Sequence, residues 1–141
     1  MKYSYLSPFG AIEYEWDENM CYGISLLQSN ATYPQHDDPV SVWLSAYFSK
    51  QTAPLPAISP AKTQFQNKLR EALCEVEYGD LRTYGELAKT LGTAPQALGQ
   101  ALGANRFQIL IPCHRIVKKG SLGGFHAGVV WKKALIDFES R

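Results

Sequence analysis

Cysteine is scarce in this chain of 141 residues, which contains only Cys21, Cys74 and Cys113. The number is odd and no two of them have CxxC spacing, so the sequence supports neither a disulfide framework nor a zinc knuckle. Free thiols persist where the surroundings are reducing. We therefore expect a cytoplasmic protein without a structural metal.

Long apolar runs are also absent, since no stretch approaches the roughly 20 residues of a membrane span. The N-terminus leads from Met1 and Lys2 into alternating polar residues, which is not the pattern of a signal peptide. We expect no membrane partner. A chain of this length can bury one core, or a small lobe beside a larger one.

Neither charge is in strong excess, because the formal net charge is +1. Residues 1–61 nevertheless hold two basic and six acidic residues, whereas residues 62–141 hold twelve basic and seven acidic ones. A basic C-terminal part suits a partner rich in phosphate. Solvated surface charge is a commoner cause of so small a bias, and the pattern alone leaves both explanations open.

The N-terminal part predicts strands followed by a helix. Apolar and polar residues alternate in residues 2–28, which predicts a small antiparallel sheet with residues 21–27 as a strand. Asp37 or Asp38 can cap a helix in which apolar residues recur at helical spacing from 40 to 48.

Three prolines between residues 51 and 60 predict a linker. From Ala61 the apolar spacing becomes helical and ends near Tyr78-Gly79. The predicted fold class is α+β: a small N-terminal antiparallel sheet lobe at 1–58, and a mainly helical domain with a helix-turn-helix at 61–141.

Two further helices supply the helix-turn-helix outline. Thr83 and Glu86 form a predicted capping box, and a second helix is expected from Pro95 to Gly103. As a pattern alone, two such helices more often form a plain helical hairpin. Gly99 and Gly103 are costly inside a helix, which indicates a close approach there by a DNA backbone or by another helix.

The stretch at 109–117 has the most chemistry, because two apolar runs enclose Pro112, Cys113, His114 and Arg115. Cationic neighbours are expected to favour the nucleophilic thiolate. Pro112 predicts the end of a strand or a bend. Adjacent strand residues point to opposite faces, so a water or a local turn would have to couple Cys113 to His114. Spacing alone leaves an inert, buried cysteine as an alternative.

Several motifs in order along the chain resemble the O6-alkylguanine-DNA alkyltransferases, which are methylated-DNA–protein-cysteine methyltransferases. The resemblance covers residues 40–141 well and the first 40 only loosely. It rests on Pro112-Cys113-His114-Arg115 with Asn105 eight residues before the cysteine, Thr63-Gln64-Phe65-Gln66, Tyr78-Gly79, Thr83-Tyr84-Gly85-Glu86-Leu87-Ala88, Gly123-Gly124-Phe125 and a closing helix ending at Glu139.

The resemblance implies catalytic roles for five residues. Cys113 would accept the alkyl group, His114 would act as its base through a water, and Glu139 would orient the histidine. Tyr84 would lie near a base flipped out of the duplex, and Asn105 would brace the turn before the cysteine. Outside the family context, Glu139 is an ordinary solvated acid, Tyr84 a half-buried aromatic residue and Asn105 a helix stop.

The resemblance also implies DNA contacts and a substrate pocket. The DNA contacts would be made by Tyr84, Gln96, Ala97, Gly99, Gln100 and Arg115. A covering loop, defined as residues 123–128, would close a pocket formed by Pro112, Val117, Phe125 and His126, with residues 117–121 at its rim.

The sequence departs from the family pattern at the second helix and the covering loop. Gln96 occupies the position where most members have an arginine that enters the base stack, so weaker DNA binding is expected. Phe125 replaces a usual tyrosine, and His126 and Ala127 stand where serine and glycine are common, which affects the expected alkyl preference. The N-terminal lobe is also shorter than usual.

The implied function is irreversible, single-turnover transfer of an alkyl group from O6-alkylguanine in double-stranded DNA to Cys113. No cofactor would be needed, and a monomer is expected. The alternative is a non-enzymatic sensor like the alkyltransferase-like proteins, which typically replace the cysteine; Gln96 and Phe125 leave it open. A cysteine hydrolase is a third possibility, but the sequence shows no separate oxyanion hole.

Overall fold

The computed structural model describes residues 1–28, 30–125 and 127–141. The chain forms two compact units, Met1–Ser59 and Pro60–Arg141. In the first unit, the elements are β1 (Lys2–Ser7), β2 (Gly10–Trp16), β3 (Cys21–Leu26) and α1 (Pro39–Phe48). In the second, they are α2 (Gln64–Cys74), β4 (Arg82–Thr83), α3 (Tyr84–Leu91), α4 (Pro95–Gly103), a 3₁₀ helix (Cys113–Arg115), β5 (Ile116–Val117) and α5 (Val129–Glu139).

The first unit contains the predicted antiparallel sheet and helix. Its strands pair in the order β1-β2-β3, so consecutive strands are neighbours. Asp38 caps α1: its side chain accepts hydrogen bonds from the backbone of Val40 and Ser41, and Ser41 completes a capping box. The same carboxylate accepts a hydrogen bond of 2.6 Å from the buried Tyr14 hydroxyl, which connects the cap to β2. The predictions for this unit's strands and helix are confirmed.

The second unit is mainly helical, as predicted. Thr63 caps α2, which ends at Cys74, earlier than the predicted Tyr78-Gly79, because hydrogen bonds of the shorter i→i+3 type close its last turn at Val76. The predicted capping box of Thr83 and Glu86 is present at the start of α3.

The turn between α3 and α4 has the residues that its geometry needs. Gly92 ends α3 in the left-handed conformation (φ 67°), which glycine adopts without steric cost. Pro95 lies in the first turn of α4, where its missing N–H costs no helical hydrogen bond. The predicted bounds of α4 are confirmed.

Of the two alternatives for Pro112, the end of a strand is wrong, and the chain bends before Cys113 instead. Residues 107–111 form a buried turn in which the N–H of Ile111 donates to Phe107 O at 2.7 Å, and Ile109 has a φ of 74°. Cys113 itself begins the 3₁₀ helix. A continuous apolar run predicts burial, but it has no periodicity to distinguish a strand from a buried turn.

The short parallel pair of β4 and β5 positions the site. Arg82 pairs with Ile116 and Thr83 pairs with Val117, so the start of α3 lies beside the residues that follow Cys113. Within the described ranges, none of the helices is long and apolar enough to cross a membrane.

Candidate active site

A cavity of about 810 Å³ lies in the second unit, and Cys113 contributes to its wall. The N-terminal turn of α3, one face of α4 and the covering-loop residues Gly124 and Phe125 also line it. Lys118 and Lys119 lie in its wall as well, within the stretch expected as rim. One concave space is therefore shared by a thiol, an aromatic side chain and the exposed helix of a helix-turn-helix.

The Cys113 thiol is held by a neutral donor. Asn105 Nδ2 lies 3.1 Å from Cys113 Sγ and donates at 3.0 Å to Ile111 O, while its Oδ1 accepts from the N–H of Phe107 at 3.0 Å. Burial raises the pKa of Cys113 to about 11, against the smaller lowering effects of Asn105 and Lys132. His114 and Arg115, the cationic neighbours expected from the sequence, are not among the groups that lower the pKa of Cys113, and burial outweighs the groups that do.

His114 faces Glu139 rather than solvent. Its Nε2 lies 2.6 Å from Glu139 Oε2. Complete burial lowers the pKa of His114, and the positive charges of Arg115 and Lys132 lower it further, outweighing the attraction of the carboxylate. A neutral imidazole that donates from Nε2 has its lone pair on Nδ1. Among the described residues, Nδ1 is buried without a hydrogen-bond partner, so it is available as a proton acceptor.

Arg115 lies in the interior, so its expected DNA contact is not supported. Its Nε donates to Glu139 Oε1 at 2.8 Å, its Nη2 to Glu139 Oε2 at 3.1 Å, and its Nη1 to Val76 O at 2.7 Å. The guanidinium thus compensates the charge of the buried carboxylate. The N–H of Gly79 also donates to Glu139, which connects the turn after α2 to the same acid.

Tyr84 lies between the cavity and the covering loop. Its hydroxyl donates to Gly124 O at 3.3 Å. Gly123 has a φ of 74°, and a Cβ added there would lie 2.8 Å from the Tyr84 ring, so this close contact requires glycine. Burial raises the pKa of Tyr84, which keeps its hydroxyl protonated as a donor.

Lys132 was not expected at the site. It is fully buried, and its Nζ donates to Ile116 O at 2.6 Å and to Gly124 O at 2.9 Å. Burial lowers its pKa to about 8. Its position three residues before buried Leu135 and seven before Glu139 is helical spacing on one face, which is the signal that could have identified it.

Only some of the remaining expected site residues line the cavity. On α4, Gln96 and Gly99 line the cavity, whereas Ala97 and Gln100 are exposed but are not among the described lining residues. Two expected pocket residues do not line it either: Pro112 is buried where it precedes the 3₁₀ helix, and Val117 pairs with Thr83. His126 lies outside the described residues.

The glycines of α4 face open space. A Cβ added at Gly99 or Gly103 would meet none of the described atoms within 4 Å, and both residues line the cavity. Packing against another helix of this chain therefore does not explain them.

Comparisons with known proteins agree on one family. The profile of the 6-O-methylguanine DNA methyltransferase DNA-binding domain matches residues 64–141. A methylated-DNA–protein-cysteine methyltransferase of Methanocaldococcus jannaschii is 35% identical over 109 residues, covering 74% of this chain and 65% of that protein. One of Methanosarcina acetivorans is 32% identical over 146 residues, covering 94% of each. The crystal structure of Mycobacterium tuberculosis OGT in complex with DNA has a TM-score of 0.82 at 27% identity, covering 98% of this chain and 92% of that one.

The fold and site define an α+β protein in which a helix-turn-helix and a cysteine share one cavity. The chain belongs to the 6-O-methylguanine DNA methyltransferase family, because the family profile matches more than half of it and the Methanosarcina relative aligns along nearly its whole length.

Proposed function

We propose that this protein repairs DNA by transferring the alkyl group of O6-methylguanine irreversibly to Cys113. The observation that carries the proposal is the Cys113 thiol in the wall of a cavity that the exposed face of α4 also lines. The names of the Methanocaldococcus and Methanosarcina relatives support the same activity. The substrate is double-stranded DNA, and the protein acts as a monomer in the reducing cytoplasm.

Recognition begins at α4. Its exposed face lacks side chains at Gly99 and Gly103, so a DNA backbone can approach the helix closely. Ala94 provides no side-chain cap, which leaves backbone N–H groups at the helix N-terminus for a phosphate. The lesion lies inside the stacked duplex, so the nucleotide must be flipped into the cavity, at a cost of a few kcal/mol.

Transfer needs a thiolate, which the burial of Cys113 disfavours. The proton of Cys113 passes through a water to His114 Nδ1, and the resulting imidazolium is stabilised by Glu139. The sulfur attacks the alkyl carbon, the carbon–O6 bond breaks, and its electron pair stays on the guanine. The Tyr84 hydroxyl donates to the purine edge, and the imidazolium proton neutralises the leaving guanine. The resulting thioether has no low-energy route back, so each molecule reacts once.

The test uses Cys113→Ala, with Cys74→Ala as the matched control because Cys74 is exposed and free. Cys113→Ala should abolish methyl transfer from a duplex containing O6-methylguanine while anisotropy still detects lesion binding. Cys74→Ala should transfer the methyl group and bind the lesion like the wild type. Transfer by Cys113→Ala would contradict the proposal, and binding without transfer by the wild type would instead indicate a sensor.

A further inference from the structure

Lys132 is a buried cation held by backbone oxygens. Its Nζ donates to Ile116 O and Gly124 O, and none of the ion pairs between described residues includes it. Burying an ammonium without a carboxylate is unfavourable, so a lysine at this position needs a compensating role. The two carbonyls belong to β5, which follows the 3₁₀ helix, and to the covering loop, so one side chain holds the two segments together.

Gly124 O accepts from two donors, Lys132 Nζ at 2.9 Å and the Tyr84 hydroxyl at 3.3 Å. In the proposed reaction the Tyr84 hydroxyl turns to the purine edge and leaves this carbonyl. A carbonyl without a donor would favour movement of Gly124. Because Lys132 keeps its hydrogen bond, Gly124 can stay in place while Tyr84 changes partner.

The Tyr84 ring packs against Lys132, with Nζ 5.6 Å from the ring centroid. The lysine therefore contacts the same tyrosine whose hydroxyl shares the Gly124 carbonyl.

We propose that Lys132 is a positioning residue for alkyl transfer: it fixes the Gly124 carbonyl while Tyr84 binds the base. This inference rests on the proposed function.

Three substitutions test the hydrogen bond from Lys132 to Gly124 O. Lys132→Met removes the donor, Lys132→Gln keeps a shorter donor, and Lys132→Arg keeps a long one. Lys133→Met is the matched control, because Lys133 is the next residue on α5, is exposed and pairs with Asp137.

Folding of each variant is checked first by circular dichroism, so that loss of transfer is not mistaken for loss of structure. If Lys132→Met does not fold, Lys132→Gln decides.

The measurement is single-turnover transfer from free O6-methylguanine base, analysed for maximal rate and half-saturating concentration. Lys132→Met should raise the half-saturating concentration at least fivefold, Lys132→Gln should raise it less, and Lys132→Arg and Lys133→Met should stay near the wild type. Equal half-saturating concentrations in all folded variants would overturn the inference. No transfer by the wild type would contradict the proposed function, and with it the inference.

Discussion

His114 Nε2 lies 2.6 Å from Glu139 Oε2, and this contact joins the 3₁₀ helix that carries the thiol to the last residue of α5. The carboxylate also binds the Arg115 guanidinium through both oxygens. Because its negative charge is shared between two partners, the histidine is not forced to become a cation. Burial lowers the pKa of His114 despite this carboxylate, and the nearby charge of Arg115 lowers it further, so the imidazole is neutral and able to accept a proton.

Replacing Glu139 should impair the reaction through His114. Glu139→Gln removes the charge that stabilises the imidazolium, so we expect single-turnover transfer to slow by about 100-fold. The variant also leaves Arg115 without its buried partner, so a loss of about 3–5 kcal/mol in the free energy of unfolding is expected. Rates should be compared by rapid quench at a temperature where circular dichroism shows both proteins folded.

The control for this variant is Asp137→Asn on the same helix, since Asp137 is exposed and pairs only weakly with Lys133. It should transfer at the wild-type rate. A Glu139→Gln rate equal to that of Asp137→Asn would remove Glu139 from the proposed relay.

Stability should depend on pH through His114. Its folded pKa lies below the ordinary value of 6.5, so the unfolded chain binds the proton first as the pH falls. The imidazole then favours unfolding by up to about 1.4 kcal/mol per pH unit below 6.5, and above that pH its contribution is constant. Urea unfolding at pH 7, 6 and 5 should show this loss in the wild type.

The contribution of other titrating groups is removed by comparison with His114→Gln. The difference in unfolding free energy between the two proteins should shrink as the pH falls from 7 to 5. A difference that stays constant or grows would mean that the folded protein protonates His114 readily, contrary to its burial.

Gly99 should separate folding from DNA binding. A Cβ there meets none of the described atoms within 4 Å, so Gly99→Ala should stabilise α4 by about 0.5–1 kcal/mol. The added methyl group would stand between the helix and an approaching DNA backbone, so anisotropy should show weaker duplex binding. Stabilisation with unchanged binding would indicate that DNA does not approach this face.

Gln96 should limit the affinity for DNA. Gln96→Arg places a cation at the mouth of the cavity, so it should tighten duplex binding and steepen the double-logarithmic salt dependence by roughly 0.9. Gln51→Arg adds the same charge at an exposed position in the other unit and serves as the control. Equal behaviour of the two variants would show that residue 96 does not contact the DNA.

Local signals made much of the fold predictable. Asp38 and Thr83 cap their helices through neighbours only three residues away, so the caps can be read directly from the sequence. The turn before Cys113 could not be predicted in this way, because it depends on burial from several sides. Arg115 looked like a surface cation, since nothing in the sequence places it beside Glu139.

Only those site residues that lie within sequence motifs could be predicted. Cys113, Asn105 and Tyr84 lie in recognisable motifs. Cys113 and Tyr84 line the cavity, and Asn105 hydrogen-bonds to Cys113. Lys132 lies outside those motifs, and its role depends on two carbonyls 16 and 8 residues away along the chain. The effect of burial on the Cys113 thiol likewise requires the three-dimensional structure.

The most direct test of alkyl transfer to Cys113 is the intact mass of the protein after incubation with excess duplex containing one O6-methylguanine, followed by peptide mapping. We predict one added methyl group per molecule, located on Cys113, with no further turnover. An unchanged mass despite lesion-dependent binding, or a methyl group on Cys21 or Cys74, would contradict this function.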